Sequence, residues 1–153
     1  MIVEPSTDDE RLWTEPFVRM APPLSERTRA YWTGGARGEL LIARCESCAT
    51  YVHPPRPVCP RCASPSVTPT AVSGRGTVHA YTVSNYQWVA TMPPPYVVAE
   101  VELAEQRGLL LLSNVVGVDP ADVRVGLPVE VRFVPTGDAH VPVFVVSPSL
   151  GET

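Results

Sequence analysis

Four cysteines and their spacing restrict this chain more than any other feature. Cys45-Glu-Ser-Cys48 and Cys59-Pro-Arg-Cys62 are two C-x-x-C pairs separated by ten residues. Two thiolates three residues apart on a tight turn grip one side of a tetrahedral ion. A second such turn, at the far end of a hairpin, supplies the other side. The alternative is two disulfides, for which three pairings exist. The N-terminus, MIVEPSTDDERLW, is acidic and lacks the basic and apolar regions of a secretory leader. The expected location is therefore cytoplasmic, where disulfides are rare. The spacing points to structural zinc on Cys45, Cys48, Cys59 and Cys62, with iron as the competing metal. Nothing resembling a thioredoxin βαβ unit surrounds either pair, which argues against redox use. Ala49 and Ala63 follow the second cysteine of each pair. Such turns usually carry Gly there, because the backbone bends sharply to aim its N–H groups at sulfur, and alanine tolerates that bend less well.

Proline sets the second restriction. The 153 residues include 18 prolines, more than twice the usual share of about 5%. Each fixes φ and removes an N–H donor, so long helices are not expected. Hydrophobic residues make up 44%, enough for a packed core. Net charge is −4, and all 12 basic residues are arginine. A nucleic-acid partner normally demands a basic stripe that neutralises phosphates, so neither nucleic acid nor an anionic membrane surface is an expected partner. No apolar run approaches the roughly 20 residues needed to span a bilayer.

Four segments follow: an arm with short helices over 1–38, the cysteine-bearing ribbon over 39–72, a β-rich unit over 73–148 and a tail over 149–153. In the arm, Thr7 and Glu10 have capping-box spacing ahead of Leu12 and Trp13. Ser25 is placed to cap a second short helix running to about Trp32, with Gly34 and Gly35 ending it. The apolar groups Leu24, Tyr31 and Trp32 must pack, either on this chain's own core or on a partner. Residues 74–148 hold five β-rich runs: GTVHAYTVSN, YVVAEVEL, GLLLLSNVVG, LPVEVRFV and VPVFVVS. Val129, Val131 and Phe133 alternate with Glu130 and Arg132, the pattern of a half-buried strand. Asp119-Pro120-Ala121-Asp122 reads as an N-cap, a proline at N1 and one helical turn. Five strands with a helical turn before the fourth fit a small, partly open Greek-key barrel of the OB type.

Arm, four-cysteine ribbon and five-strand barrel, in that order, resemble the DUF35 family, a rubredoxin-like zinc ribbon joined to an OB fold. The resemblance runs from about Leu24 to Val146. It is carried by Tyr31-Trp32, the two cysteine pairs with CPRC, Gly74-x-Gly76-x-Val78, the run Pro95-Tyr96-Val97-Val98-Ala99-x-Val101-Glu102-Leu103, and Asp119-Pro120-x-Asp122-Val123-Arg124-x-Gly126-x-Pro128-Val129. The family implies a helper rather than a freestanding enzyme. Its members accompany thiolase-superfamily subunits in thiolysis, acyl transfer and steroid side-chain aldol cleavage, and some are fused to a hydratase domain. The implied role here is a standalone accessory subunit, non-catalytic or co-catalytic. It would bind a thiolase-like partner, as a heterotetramer built on the partner's dimer, and help hold acyl-CoA. An independent CoA-ester enzyme and, further off, a nucleic-acid-binding ribbon/OB protein are the alternatives.

The candidate contacts follow from chemistry. Residues 85–95 form the longest connection in the barrel and carry Tyr86, Trp88, Met92 and three successive prolines. A stiff apolar loop loses little entropy on docking, so Tyr86 and Trp88, with Trp32, are the expected partner interface. The alternative is a loop that simply lids the open barrel. Arg56, Arg61 and Arg75 are the cationic candidates for a CoA phosphate, since guanidinium matches phosphate bidentately. His53, His79 and His140 have no sequence-local nucleophile beside them, and no catalytic residue is assigned.

Overall fold

The computed structural model describes residues 18–148. The expectations for Thr7, Glu10, Leu12 and Trp13, and for the tail, lie outside those residues. Among the described residues, eight strands, one short helix and two 3-10 turns make up the regular structure. Helix α1 (Arg29–Thr33) is followed by a 3-10 turn over Gly34–Arg37. The ribbon strands are β1 (Leu40–Cys45), β2 (Tyr51–Val52) and β3 (Val67–Val72). The barrel strands are β4 (Arg75–Ser84), β5 (Tyr96–Leu103), β6 (Leu110–Val115), β7 (Pro128–Thr136) and β8 (Ala139–Val146).

The five runs read from sequence are the five barrel strands, and the helical turn before the fourth is present. Asp119 accepts a hydrogen bond from the Ala121 N–H at 2.9 Å, with Pro120 opening the turn. The barrel is closed rather than partly open. Its order is β4-β5-β6-β8-β7, and β7 returns to pair with β4 through Arg75↔Glu130, Gly76↔Val129 and Thr77↔Pro128. Closure depends on β4 serving two neighbours along its ten residues. A bulge between Val78 and Ala80 coils the strand from one neighbour toward the other. The remaining seam is a single parallel bridge, Val115↔Phe144.

Gly34 ends α1 as expected, and the glycine pair in the arm does a second job as well. Gly34 and Gly35 continue the coil as a 3-10 turn, and Gly38, at φ 71°, ends it. A Cβ on Gly35 would meet Phe133 Cδ1 at 2.5 Å and His140 Cβ at 2.6 Å. Glycine is thus required for close approach to the β7–β8 hairpin. Ser25 caps a lone turn one step earlier than expected: its Oγ accepts from the Thr28 N–H at 3.2 Å, ahead of α1. One apolar core then runs through both units. Tyr31, Leu40 and Ile42 join Val78, Val101, Leu103, Leu111, Val129 and Phe144, with Trp32 packed against them.

Residues 18–22 form a strap across one face of the barrel. The Val18 N–H donates to the Thr91 carbonyl at 3.1 Å in the β4–β5 loop. Arg19 Nη1 donates to Asn114 Oδ1 at 2.7 Å on β6, and Ala21 lies against Gly137 in the β7–β8 turn. These two loops and the second and third barrel strands are the face on which OB barrels usually take oligonucleotides or oligosaccharides.

Candidate metal centre and docking surface

Each cysteine pair sits on a turn of the same construction. Cys45 N–H donates to the Thr50 carbonyl and Ala49 N–H to the Cys45 carbonyl, both at 2.9 Å. In the second turn Cys59 N–H donates to the Ser64 carbonyl and Ala63 N–H to the Cys59 carbonyl, again at 2.9 Å. Ala49 has φ 64° and Ala63 φ 61°. The left-handed bend expected after the second cysteine is present at both places, and alanine carries it.

The two turns bring the four sulfurs within 4.8 Å of one another. Cys45 Sγ lies 3.6 Å from Cys62 Sγ, and Cys48 Sγ lies 3.6 Å from Cys59 Sγ. Disulfide sulfurs stand about 2.05 Å apart, and all four thiols are free. A tetrahedron with Zn–S bonds of about 2.3 Å has edges of about 3.8 Å. The sulfur set therefore fits zinc. Cys45 and Cys59 are buried, while Cys48 is half-buried and Cys62 exposed. Hydrogen bonding to the Thr50 hydroxyl and then its backbone pulls the Cys48 thiol down to about 6. Cys62 moves the other way, to about 12: the Ser64 backbone N–H lowers it, but the sulfurs of Cys45 and Cys48 outweigh that effect. Metal binding has to release the protons that remain.

The cationic candidates do not converge. Arg56 lines an open cleft between the turn that precedes α1 and the ribbon, together with Glu26, Arg27, Pro54, Pro55 and Pro69. Arg75 lines a separate cleft on the barrel with Arg107 and Glu102. Arg61 faces the cysteine site, its Nη1 donating to Thr50 Oγ1 at 3.5 Å. Arg27 was not visible as a candidate, because only the fold brings the arm beside the ribbon. The histidines are dispersed. His53 stacks on Tyr31 with centroids 5.0 Å apart, and burial lowers its pKa. His79 sits exposed at the β4 bulge, and His140 packs under Gly35.

The aromatic candidates do converge. Tyr86 and Trp88 pack edge to face, centroids 4.8 Å apart, yet remain 66% and 74% exposed. Val89 and Met92 of the same loop line a mainly apolar groove of about 250 Å³ with Val18, Arg19, Met20, Trp32 and Val141. Trp32 is half-buried and packs on Tyr31 at 4.7 Å. It thus packs on this chain's own core while presenting an edge to the groove. Val18 and Met20 are the residues that sequence reading missed, since no local pattern says that the strap returns to the β4–β5 loop.

Two family models cover this architecture: the rubredoxin-like zinc ribbon domain of ChsH2 over residues 32–68, and the ChsH2 C-terminal OB-fold domain over residues 69–134. Among solved structures, the chain matches one titled "Ltp2-ChsH2(DUF35) aldolase" with a TM-score of 0.74 and 32% identity, over 82% of this chain and 98% of that one. A DUF35 domain-containing scaffold protein of Methanothermobacter thermautotrophicus is 32% identical over 72% of this chain and 83% of its own length. The 3-oxo-4,17-pregnadiene-20-carboxyl-CoA hydratase alpha subunit of Mycobacterium tuberculosis is 34% identical over 78% of this chain. Here the chain spans little over a third of the relative, 38% of its length. A two-part fold of zinc ribbon and OB barrel is thereby defined. The chain belongs to the DUF35 family, whose relatives here are named as scaffolds and as subunits of complexes. Among the described residues, no helix is long and apolar enough to cross a membrane.

Proposed function

We propose that this chain is an accessory subunit that docks on a thiolase-fold partner and helps hold an acyl-CoA substrate. Cys45, Cys48, Cys59 and Cys62 hold a structural zinc ion in this reading. The observation that carries it is the Tyr86–Trp88 pair: two large aromatics stay exposed on the loop that lines a mainly apolar groove, in a chain whose core is otherwise filled. Aromatic anchors of this kind supply interface energy of about 2 kcal/mol or more each when buried by a partner. Trp32, Tyr86 and Trp88 form the proposed contact surface, and assembly on a dimeric partner gives a heterotetramer.

The named activities of the relatives narrow the substrate. Relatives named 3-oxo-4,17-pregnadiene-20-carboxyl-CoA hydratase alpha subunit and Ltp2-ChsH2(DUF35) aldolase support acyl-CoA esters, steroid side chains included, as the proposed substrate class. Arg56 with Arg27, in the cleft between the turn before α1 and the ribbon, is the recess proposed for a CoA phosphate, its two guanidiniums outnumbering the one carboxylate of Glu26. Arg75 on the barrel is the second recess. The strap over the OB face leaves no open track for an oligonucleotide there, which weighs against the nucleic-acid reading.

The test is coexpression with a thiolase-like subunit encoded beside this gene, followed by size exclusion and an acyl-CoA turnover assay. Co-elution is expected. Trp88→Ala is expected to weaken assembly or turnover at least tenfold, with fold and metal content unchanged. A partner fully active alone, with no co-elution at micromolar concentrations, would overturn the proposal.

A further inference from the structure

The two cysteine turns are built alike, but their hydroxyl side chains are used differently. Thr50 and Ser64 occupy matching positions, two residues after Cys48 and Cys62, and each backbone carbonyl accepts from the first cysteine of its own turn. Thr50 turns its hydroxyl back onto its own turn, where Oγ1 accepts from the Cys48 thiol at 3.2 Å. Ser64 reaches across to the other turn, where its Oγ pairs with Ser47 Oγ at 2.8 Å. On the opposite side Arg61, from the second turn, reaches across to Thr50 of the first at 3.5 Å. Its own backbone N–H meanwhile points at Cys59 Sγ at 3.4 Å. The turns are thus joined by side chains on both flanks, independently of any ion.

We propose that Thr50, held by Arg61, is a positioning residue for the metal ligand Cys48. The reasoning is one of donors and acceptors. A guanidinium only donates, so Arg61 occupies an acceptor position on Thr50 Oγ1. The hydroxyl proton is then free to point at sulfur once Cys48 loses its own proton to bind metal. An O–H donated to a metal-bound thiolate fixes the direction of the sulfur and stabilises its charge. Partners that orient ligands in this way typically account for 10- to 100-fold in metal affinity. Cys62, the most exposed of the four, has no equivalent hydroxyl, because Ser64 is committed to Ser47. The relay therefore sets apart the two ligands that face solvent: Cys48 is retained and Cys62 is the one that opens.

The inference rests on the zinc reading, and the experiment separates the two. Full-length zinc-loaded protein is mixed with excess colorimetric chelator, and the rate of zinc release is followed. The same variants are loaded with cobalt(II), and the sulfur-to-cobalt charge-transfer band is recorded. Thr50→Val keeps the backbone bond and the branched shape but loses the hydroxyl. It is expected to release zinc at least tenfold faster and to shift the cobalt band, and Thr50→Ser is expected to restore both. Arg61→Ala changes an exposed side chain and leaves both turns intact. It is expected to speed release by a smaller factor, which keeps the test valid if Thr50→Val fails to fold. Ser64→Ala removes the matched hydroxyl that touches no sulfur and is expected to leave the band in place. Wild-type rates and spectra in both Thr50→Val and Arg61→Ala overturn the inference. So do equal band shifts in Thr50→Val and Ser64→Ala, which would mark a general loosening. Wild-type protein that holds no zinc would instead overturn the zinc reading itself.

Discussion

The ribbon turns and the barrel are held together by different physics. Between Cys45 and Ser66 only Cys45, Val52 and Cys59 are buried. The barrel, by contrast, hides Phe144, Leu103, Leu111, Val78, Val97, Val101 and Val129 almost completely. At about 25 cal/mol per Å² of apolar surface removed from water, the barrel gains its stability from burial. The turns have almost no such surface to gain from. Their order has to come from hydrogen bonds and a metal, which also offset the cost of two alanines held in the left-handed region. Stability in this molecule is therefore local in kind, and each half should fail under a perturbation the other tolerates.

The strongest break in that comparison is removal of the metal. Zinc binding in small ribbon sites is worth roughly 10–16 kcal/mol at neutral pH, far more than the apolar contacts of the turns supply. Cys59→Ser should leave the ribbon unfolded or the chain insoluble. Metal content near zero with native-like amide protection over Cys45–Ser66 would contradict this, and elemental analysis with hydrogen exchange reports both quantities.

The complementary break is in the barrel. Phe144 is fully buried, and its strand forms the single parallel bridge to β6. Phe144→Ala leaves a cavity that typically costs about 3–5 kcal/mol. The thermal midpoint should fall by about 6–20 °C, at roughly 2–4 °C per kcal/mol for a chain of this size. Bound zinc, measured below the new midpoint, should stay near one ion per chain. Equal loss of zinc and barrel stability would show that the two halves fold as one unit.

What the sequence disclosed divides along the same line. The cysteine turns are short-range patterns, so spacing alone located the ligands and the two strained positions at Ala49 and Ala63. The five strands were also legible, as were Asp119 and Pro120, because alternation and capping are local. Contacts across the fold were not legible. Nothing near Val18 or Arg19 announces that the strap reaches Thr91 and Asn114, and closure of the barrel depends on a bulge at His79 that shows no pattern. Gly34 does stop the helix as read, but the close approach at Gly35 was not legible, because a helix stop and a close approach both select glycine. Only Phe133 and His140, about a hundred residues away, distinguish the two.

Gln106 is the sharpest test of how independent the halves are, because it joins them. It lies in the turn between β5 and β6, yet its side chain pairs with the edge strand of the ribbon. Oε1 accepts from the Tyr51 N–H at 2.8 Å, and Nε2 donates to the Tyr51 carbonyl at 3.1 Å. The carboxamide takes the place of a neighbouring strand and satisfies both backbone groups of one residue in β2. Its turn neighbour Glu105 adds a second joint, accepting from the Ser73 N–H at 2.8 Å. Gln106→Ala would leave two half-buried backbone groups to water, at a cost of about 1–3 kcal/mol. That cost should fall on the joint alone. Barrel melting and zinc content should hardly change, while hydrogen exchange at Tyr51 should accelerate about tenfold or more. Gln106→Glu is the instructive partner variant, since a carboxylate keeps the acceptor but loses the donor, and it should protect the Tyr51 N–H better than alanine does. If Tyr51 exchanges at the wild-type rate in Gln106→Ala, β2 is held by β1 and the metal turns alone, and the two halves are joined only through their shared core.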